Sequence, residues 1–120
     1  DRIKDLVEIL REVFPTGRKE GTTQYWRGNR KEIAQKLKIF FKLHGKYSDE
    51  DIVAAAKSYV ASFNGQYRHM RLLKYFIIKN EVQKDGEGIG RVVEISDLAS
   101  YIENAGDLEQ FKDEWTTTIN

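Results

Sequence analysis

Along most of the first 80 residues, apolar side chains recur every three or four positions, and this spacing is the strongest constraint on the fold. The first run consists of Ile3, Leu6, Val7, Leu10 and Phe14. Because an α-helix turns once every 3.6 residues, such side chains line one face of an amphipathic helix. Pro15 and Gly17 follow directly, and neither residue favours continuation of a helix. The chain is therefore predicted to open with one helix over residues 2–14.

Capping signals predict where the second helix begins and ends. Asn29 is followed three positions later by Glu32, the spacing of a capping box in which each side chain bonds to a backbone amide of the other. The helix should start at Arg30 and end at Gly45, a residue that adopts the left-handed backbone common after helices. Its inner side would carry Ile33, Leu37, Phe40, Phe41 and His44, and its outer side Lys31, Gln35, Lys38 and Lys42.

Two more helices are predicted before residue 80. Ser48 caps the first of them, since the acids at positions 49–51 complement the positive end of the helix dipole, and the turn at Asn64 and Gly65 ends it. Its buried side consists of Ile52, Ala56, Tyr59, Val60 and Phe63. The other helix covers residues 67–79, with Met70, Leu73, Phe76 and Ile77 pointing inward and Arg68, Arg71, Tyr75 and Lys79 outward.

The sequence changes character after residue 80. Residues 81–95, EVQKDGEGIGRVVEI, contain two strand-like pieces around a glycine-rich middle, which form either a β-hairpin or a mobile loop. Ser96 then caps a short helix that ends at Gly106 and buries Leu98, Tyr101 and Ile102. The predicted fold class is therefore mainly α: a compact bundle of four or five helices with at most a small β-hairpin near residues 81–95.

The length and composition fit one globular core. A chain of 120 residues can bury such a core without stabilising metals, and the chain has no cysteine for a disulfide or a thiolate-metal site. No apolar run reaches the roughly 18 residues of a membrane span, so no membrane contact is expected. The chain opens at Asp1 rather than methionine, and we expect it to be trimmed or to belong to a longer protein.

Charge is distributed unevenly along the chain, although the net charge is only +1. Residues 16–46 hold nine Lys/Arg and two acids, and residues 65–79 hold four Lys/Arg and no acid. Residues 80–120 hold three Lys/Arg and ten acids. This contrast predicts a helical domain with a basic face at residues 1–106, an acidic aromatic segment at residues 107–120, and a polyanionic partner such as DNA or RNA.

The basic residues are predicted to form one positive surface if the two cationic helices pack side by side. Such a surface binds nucleic-acid phosphates with release of counterions, which makes the affinity salt-sensitive. The alternative is that these side chains only solvate the helices, although ordinary solvated helices mix acids with bases. The candidate nucleic-acid-binding residues are Arg18, Lys19, Tyr25, Arg27, Arg30, Lys31, Lys38, Lys42, Arg68, Arg71, Lys74 and Lys79.

The dipeptide Tyr25-Trp26 lies among these cations in the loop between the first two helices. Aromatic rings beside arginines stack on unpaired bases in proteins that bind single strands. A ring can instead hold a polar loop on the core, with the indole N–H bonded to a carbonyl. We assign the anchoring role to Trp26 and a surface role to Arg27 and Arg30, and count Tyr25 with the binding residues.

The sequence contains no convincing catalytic or metal-binding pattern. The glycines at positions 86, 88 and 90 lack the spacing and the strand-helix context of a phosphate-binding loop, and they fit a flexible turn. His44 and His69 lie on separate predicted helices, without the nearby carboxylates that a metal site would need. The chain is therefore expected to be no enzyme and to need no metal or other cofactor.

An acidic cap, a helix and an aromatic-rich second helix follow one another over residues 47–79, at Tyr47, Ile52, Ala56, Tyr59, Tyr67 and Phe76. This order resembles the helix pairs of DnaD-like and other replication accessory proteins of bacteriophages. The resemblance covers under a third of the chain. The Tyr and Trp pattern near the end of that family's second helix is not reproduced, so no DNA-contact residue is carried over. The resemblance implies an accessory of DNA transactions rather than an enzyme.

Two functions of different classes follow from these features. In the first, the basic face binds DNA or RNA backbone with little sequence preference, while the acidic segment binds a protein or folds back over the basic face. In the second, the chain is a protein adaptor or a structural subunit whose cations match an acidic partner. Either protein is expected in the cytoplasm, that of the host cell if a phage encodes it. The candidate partner-binding residues are Leu108, Phe111 and Trp115.

Overall fold

The computed structural model describes residues 1–105 and confirms a mainly helical fold with a small β-hairpin. Helix α1 packs against α2 and α3, and α2 packs against α4. The predicted features of residues 106–120, including the helix end at Gly106 and the partner-binding residues Leu108, Phe111 and Trp115, lie outside the described residues. In chain order the elements are α1 (Arg2–Val13), α2 (Arg30–Leu43), α3 (Asp49–Ala61), α4 (Leu73–Ile77), β1 (Lys79–Lys84), β2 (Gly90–Ile95) and α5 (residues 97–105).

One apolar cluster, supplied by the inner faces of the helices, forms the core. Aromatic rings meet at its centre. Phe76 stacks on Tyr59 with the ring centroids 4.3 Å apart, and it tilts against Phe14 at 5.8 Å. Tyr101 of α5 meets Tyr59 edge-on at 5.2 Å. These contacts bring together α3, α4, α5 and the end of α1. Each close aromatic pair contributes about 0.5–1.5 kcal/mol beyond the area that it buries.

The predicted starts of α2 and α3 are confirmed. The Asn29 side chain accepts a hydrogen bond from the amide of Glu32 at 2.8 Å, and the Ser48 hydroxyl accepts one from the amide of Asp51 at 3.1 Å. The reciprocal half of the capping box is wrong, because the Glu32 carboxylate pairs with Lys74 at 2.9 Å instead of bonding to the cap amide. Glu32 therefore forms a tertiary ion pair instead of the local hydrogen bond that a capping box would contain.

The predicted helix over residues 67–79 is wrong, since only Leu73–Ile77 is helical. The preceding backbone bonds to a distant part of the chain: the amide of Arg71 donates to the Tyr59 hydroxyl at 2.8 Å. A continuous amphipathic helix would also leave one face exposed. This segment instead buries side chains that would point in several directions around a helix, namely Met70, Leu72, Leu73, Phe76, Ile77 and Ile78.

The segment predicted as a hairpin or a mobile loop is a β-hairpin. Strands β1 and β2 pair antiparallel, with Val82 opposite Val92. Asp85 shapes the turn, because its carboxylate accepts hydrogen bonds from the amides of Glu87 at 2.9 Å and Ile89 at 3.0 Å. Val82, Ile89 and Val92 are 66%, 62% and 68% exposed, so the outer face of the hairpin stands apart from the core.

Ser96 joins α5 to the core. Its buried hydroxyl donates to the carbonyl of Ile77 at 2.7 Å and accepts a hydrogen bond from the amide of Ala99 at 3.0 Å. The second bond confirms the predicted helix cap, and the first ties the start of α5 to the end of α4. Leu98, the next apolar residue, is fully buried.

Replacing Ser96 with alanine is expected to lower the free energy of unfolding by about 2 kcal/mol, because a helix cap is lost and a buried carbonyl loses its partner. Ser48→Ala, which removes a cap at the surface, is the matched control and should cost about 1 kcal/mol. Urea unfolding followed by circular dichroism measures both changes. Equal losses in the two variants would contradict the contribution of the Ile77 bond.

The described end of α5 is held by Tyr47, which lies between α2 and α3. The hydroxyl of Tyr47, whose ring is buried, donates to the Glu103 carboxylate, which also pairs with Lys46 at 3.3 Å. Burial, reinforced by this carboxylate, raises the pKa of Tyr47 to about 12. The same hydrogen bond holds the pKa of Glu103 below its ordinary value. Both ends of the described part of α5 are therefore attached to the rest of the fold.

Candidate nucleic-acid interface

Three lysines form a row along the exposed side of α2. Lys31, Lys38 and Lys42 are seven and four positions apart, which places them within a narrow arc of the helix. All three are exposed, and none has an acidic partner within residues 1–105. Within residues 1–105, this lysine row is therefore a line of positive charge without paired acids on a rigid element.

A second group of lysines surrounds Tyr75 in α4. The ammonium groups of Lys36, Lys74 and Lys79 lie 5.8, 4.9 and 5.2 Å from the centroid of its half-buried ring. The electron-rich face of the ring offsets part of the repulsion between the cations. Glu32 accepts a hydrogen bond from Lys74 and thereby raises the pKa of that lysine. With one paired carboxylate among the described residues for three ammonium groups, this lysine cluster has an excess of positive charge there.

The lysine row and the lysine cluster flank one exposed side of α2. Each residue advances about 100° around a helix, so Ile39 and Leu43 lie between the row and Lys36. These two apolar side chains are 40% and 52% exposed. Because α4 packs beside α2, the lysine row lies on one side of this apolar strip, and the lysine cluster lies on the other.

Two of the candidate arginines are paired with acids. Arg30 pairs with Glu8, which joins α2 to α1. Arg71 lies between Glu81 at 3.0 Å and Asp97 at 2.8 Å, and so joins the segment before α4 to the hairpin and to α5. Burial opposes the charge on Arg71, but the two carboxylates outweigh it and raise the pKa of the guanidinium above its ordinary value. The charge of these arginines is therefore largely offset within the protein.

The cations of the first loop bond mainly to backbone carbonyls. Lys19 donates to the Met70 carbonyl at 2.8 Å, and Arg27 donates to the Phe14 carbonyl at 2.8 Å. Arg27 is half-buried and bonds to the carbonyl at the end of α1, so part of its donor capacity is used within the fold. The two remaining candidates are exposed and have no acidic partner in the described part of the chain: Arg18 and Arg68.

The neighbouring rings of Tyr25 and Trp26 lie in opposite environments. Trp26 is 5% exposed and meets Tyr67 edge-on, with the ring centroids 5.9 Å apart, which confirms that it anchors the loop. Tyr25 is 59% exposed. The two rings therefore serve different surfaces, the indole the core and the phenol the exterior.

A surface cavity of about 260 Å³ lies beside Tyr25. It is formed where the first loop meets the start of α2 and the lysine cluster. Lys74 belongs both to the cavity wall and to the cluster, so the two features are continuous. The lining residues are Gln24, Tyr25, Gly28, Asn29, Glu32 and Lys74.

Comparison of the chain with protein-family models, curated proteins and solved structures finds no match. The resemblance of residues 47–79 to DnaD-like accessory proteins therefore stays a prediction. Among residues 1–105, no group of three or more His, Asp and Glu side chains could hold a metal ion. No helix in the same part of the chain is long and apolar enough to cross a membrane.

The predicted binding residues omit Lys36 and Tyr75, around which the lysine cluster is built. The outward position of Tyr75 beside Lys74 and Lys79 was a local signal for an aromatic ring among cations. The contact with Lys36 depends on the packing of α4 against α2, which no local sequence pattern indicates.

Proposed function

We propose that the protein is a non-enzymatic accessory of DNA replication or transcription that binds the phosphates of DNA or RNA. The observation that carries this proposal is the excess of cations along α2. The lysine row and the lysine cluster contain six lysines, and Glu32 is the single acid that pairs with any of them within residues 1–105. A nucleic-acid backbone suits such a surface, because its phosphates repeat at short intervals along an extended polymer.

The dimensions of the lysine row are compatible with a nucleic-acid strand. From Lys31 to Lys42 the row covers about 16 Å of helix axis, at about 1.5 Å per residue. One DNA strand presents about five phosphates over that length. Contacts from flexible lysines to phosphates carry no sequence information, so the proposed binding has little sequence preference.

The biological setting belongs to the same proposal. The resemblance of residues 47–79 to replication accessory proteins of bacteriophages supports a phage origin and a place in the host cytoplasm. The acidic segment at residues 107–120 would bind a protein of the same machinery, because its apolar residues recur at helical spacing among acids.

The affinity for nucleic acid is expected to fall steeply as the salt concentration rises. If each lysine of the row neutralises one phosphate of a duplex, log affinity falls against log salt with a slope of about −2.7. Binding then weakens about 40-fold between about 50 and 200 mM salt. Fluorescence anisotropy of labelled DNA and RNA across a salt series measures the slope. A slope near zero, or no binding at low salt, would overturn the proposal.

The exposed hairpin favours a second function, that of a protein adaptor or structural subunit. Val82, Ile89 and Val92 present apolar side chains to solvent, and exposed apolar groups that lie together often mark protein contacts. In this function the cations along α2 would match an acidic protein. Light scattering that gives a multiple of the 14.0 kDa chain mass, together with no binding of DNA or RNA at low salt, would support it over the first.

A further inference from the structure

Tyr25 is exposed, yet the backbone that carries it is fixed. The amide of Lys19 donates to the Gln24 carbonyl at 2.9 Å, and the amide of Trp26 donates to the Gly17 carbonyl at 3.1 Å. The buried Trp26 ring attaches the next residue to the core. The phenol ring is thus presented from a preorganised loop, so less conformational entropy of the loop is lost when a ligand binds.

The cavity beside Tyr25 has a lining that matches the edge of a nucleobase. Gln24 and Asn29 carry amide groups, which both donate and accept hydrogen bonds. The Asn29 oxygen caps α2, so its amino group remains as a donor. The Glu32 carboxylate is an acceptor and the Lys74 ammonium group is a donor. Mixed donors and acceptors of this kind recognise the edges of unpaired bases, while aromatic rings bind their faces.

We propose that this cavity binds an unpaired nucleobase of single-stranded DNA or RNA, stacked against the ring of Tyr25. The inference rests on the proposed function and adds to it a preference for single strands. A base in a duplex is stacked and paired, and must leave the helix before it can enter such a cavity. Lys74 lines the cavity, so the phosphate next to the bound base would meet the lysine cluster at Lys36 and Lys79.

The decisive comparison uses two single strands with the same phosphates. One is an oligothymidylate about 12 nucleotides long, and the other is an equally long strand in which every base is replaced by an abasic site. The wild-type protein is expected to bind the oligothymidylate at least about fivefold more tightly, since one base stacked on an aromatic side chain contributes on that scale. Tyr25→Ala should remove the difference, and Tyr25→Phe, which keeps the ring, should retain it.

The outcomes separate this inference from the proposed function. Equal wild-type affinities for the two strands, or a difference that persists in Tyr25→Ala, would overturn the nucleobase site. If binding still weakened with salt, the proposed phosphate-binding function would stand. No binding to either strand or to a duplex would overturn both. Thermal unfolding checks the variants, and if Tyr25→Ala does not fold, the comparison of the two strands on the wild-type protein still decides the question.

Discussion

Replacing Phe76 with alanine is expected to lower the free energy of unfolding by about 3–5 kcal/mol, a large share of the stability of a single domain. Phe76 is fully buried, and its ring contacts the rings of Tyr59, Phe14 and Tyr101. The substitution removes the ring from the point where α1, α3, α4 and α5 meet. Because close-packed neighbours relax only partly, a cavity remains and adds to the lost burial. Urea denaturation followed by circular dichroism measures the change.

Val82→Ala is the matched control for this variant. It also truncates an apolar side chain, but at a position that is 66% exposed on the hairpin. Its effect should stay within about 0.5 kcal/mol, as for most surface substitutions. A loss below about 1 kcal/mol in Phe76→Ala would show that the aromatic contacts do not form the centre of the core.

Reversing two charges of the lysine row, with Lys38→Glu and Lys42→Glu together, is expected to weaken nucleic-acid binding about 200-fold at about 50 mM salt. Each phosphate contact contributes about 15-fold at that salt concentration through counterion release. The slope of log affinity against log salt should fall in magnitude from about 2.7 to about 0.9. Anisotropy titrations of one labelled duplex with the wild-type and variant proteins give both quantities.

The control variant changes the net charge by the same amount but at positions outside the lysine row. Lys57→Glu and Lys84→Glu together alter exposed residues of α3 and of β1. This variant should bind within about threefold of wild type, because these residues lie on other elements and charges beyond a Debye length, about 14 Å at that salt concentration, are screened. Equal weakening by the two double variants would mean that net charge, and not the lysine row, attracts the nucleic acid. Full affinity in the row variant would remove the row from the interface.

Helix starts were predictable from the sequence because caps are local. Asn29, Ser48 and Ser96 each accept a hydrogen bond from the amide three positions further along the chain, so the signal and its effect lie within one turn. The apolar stripe of α1 was predictable for the same reason. Leu6, Val7 and Leu10 follow the period of the helix and are buried as expected.

The segment before α4 was not predictable, because its conformation depends on distant partners. The spacing of Met70 and Phe76 fits one face of a helix. Leu72 and Ile78 would lie on other faces of that helix, and their burial shows that the segment is enclosed on several sides. The Tyr59 hydroxyl that accepts from the Arg71 amide lies 12 positions earlier.

The candidate site was predictable in part. The lysine row follows from helical spacing alone, as in the placement of Lys38 and Lys42 on the outer side of α2. The pairing of Arg30 with Glu8 spans 22 positions, and the contact of Lys36 with Tyr75 joins two elements. A count of charges along the sequence therefore predicted which segments are basic, but could not separate the cations that have no acidic partner within residues 1–105 from those that hold the fold together.

The contact between the first loop and α4 has a consequence for the order of refolding. The amide of Leu73, at the start of α4, donates to the Trp26 carbonyl at 3.0 Å, and Lys19 and Met70 beside it are 51 positions apart. A five-residue helix does not persist alone, and closing a long stretch of chain is slow. Completion of the lysine cluster during refolding therefore requires this long-range contact, whereas the lysine row requires only α2 itself.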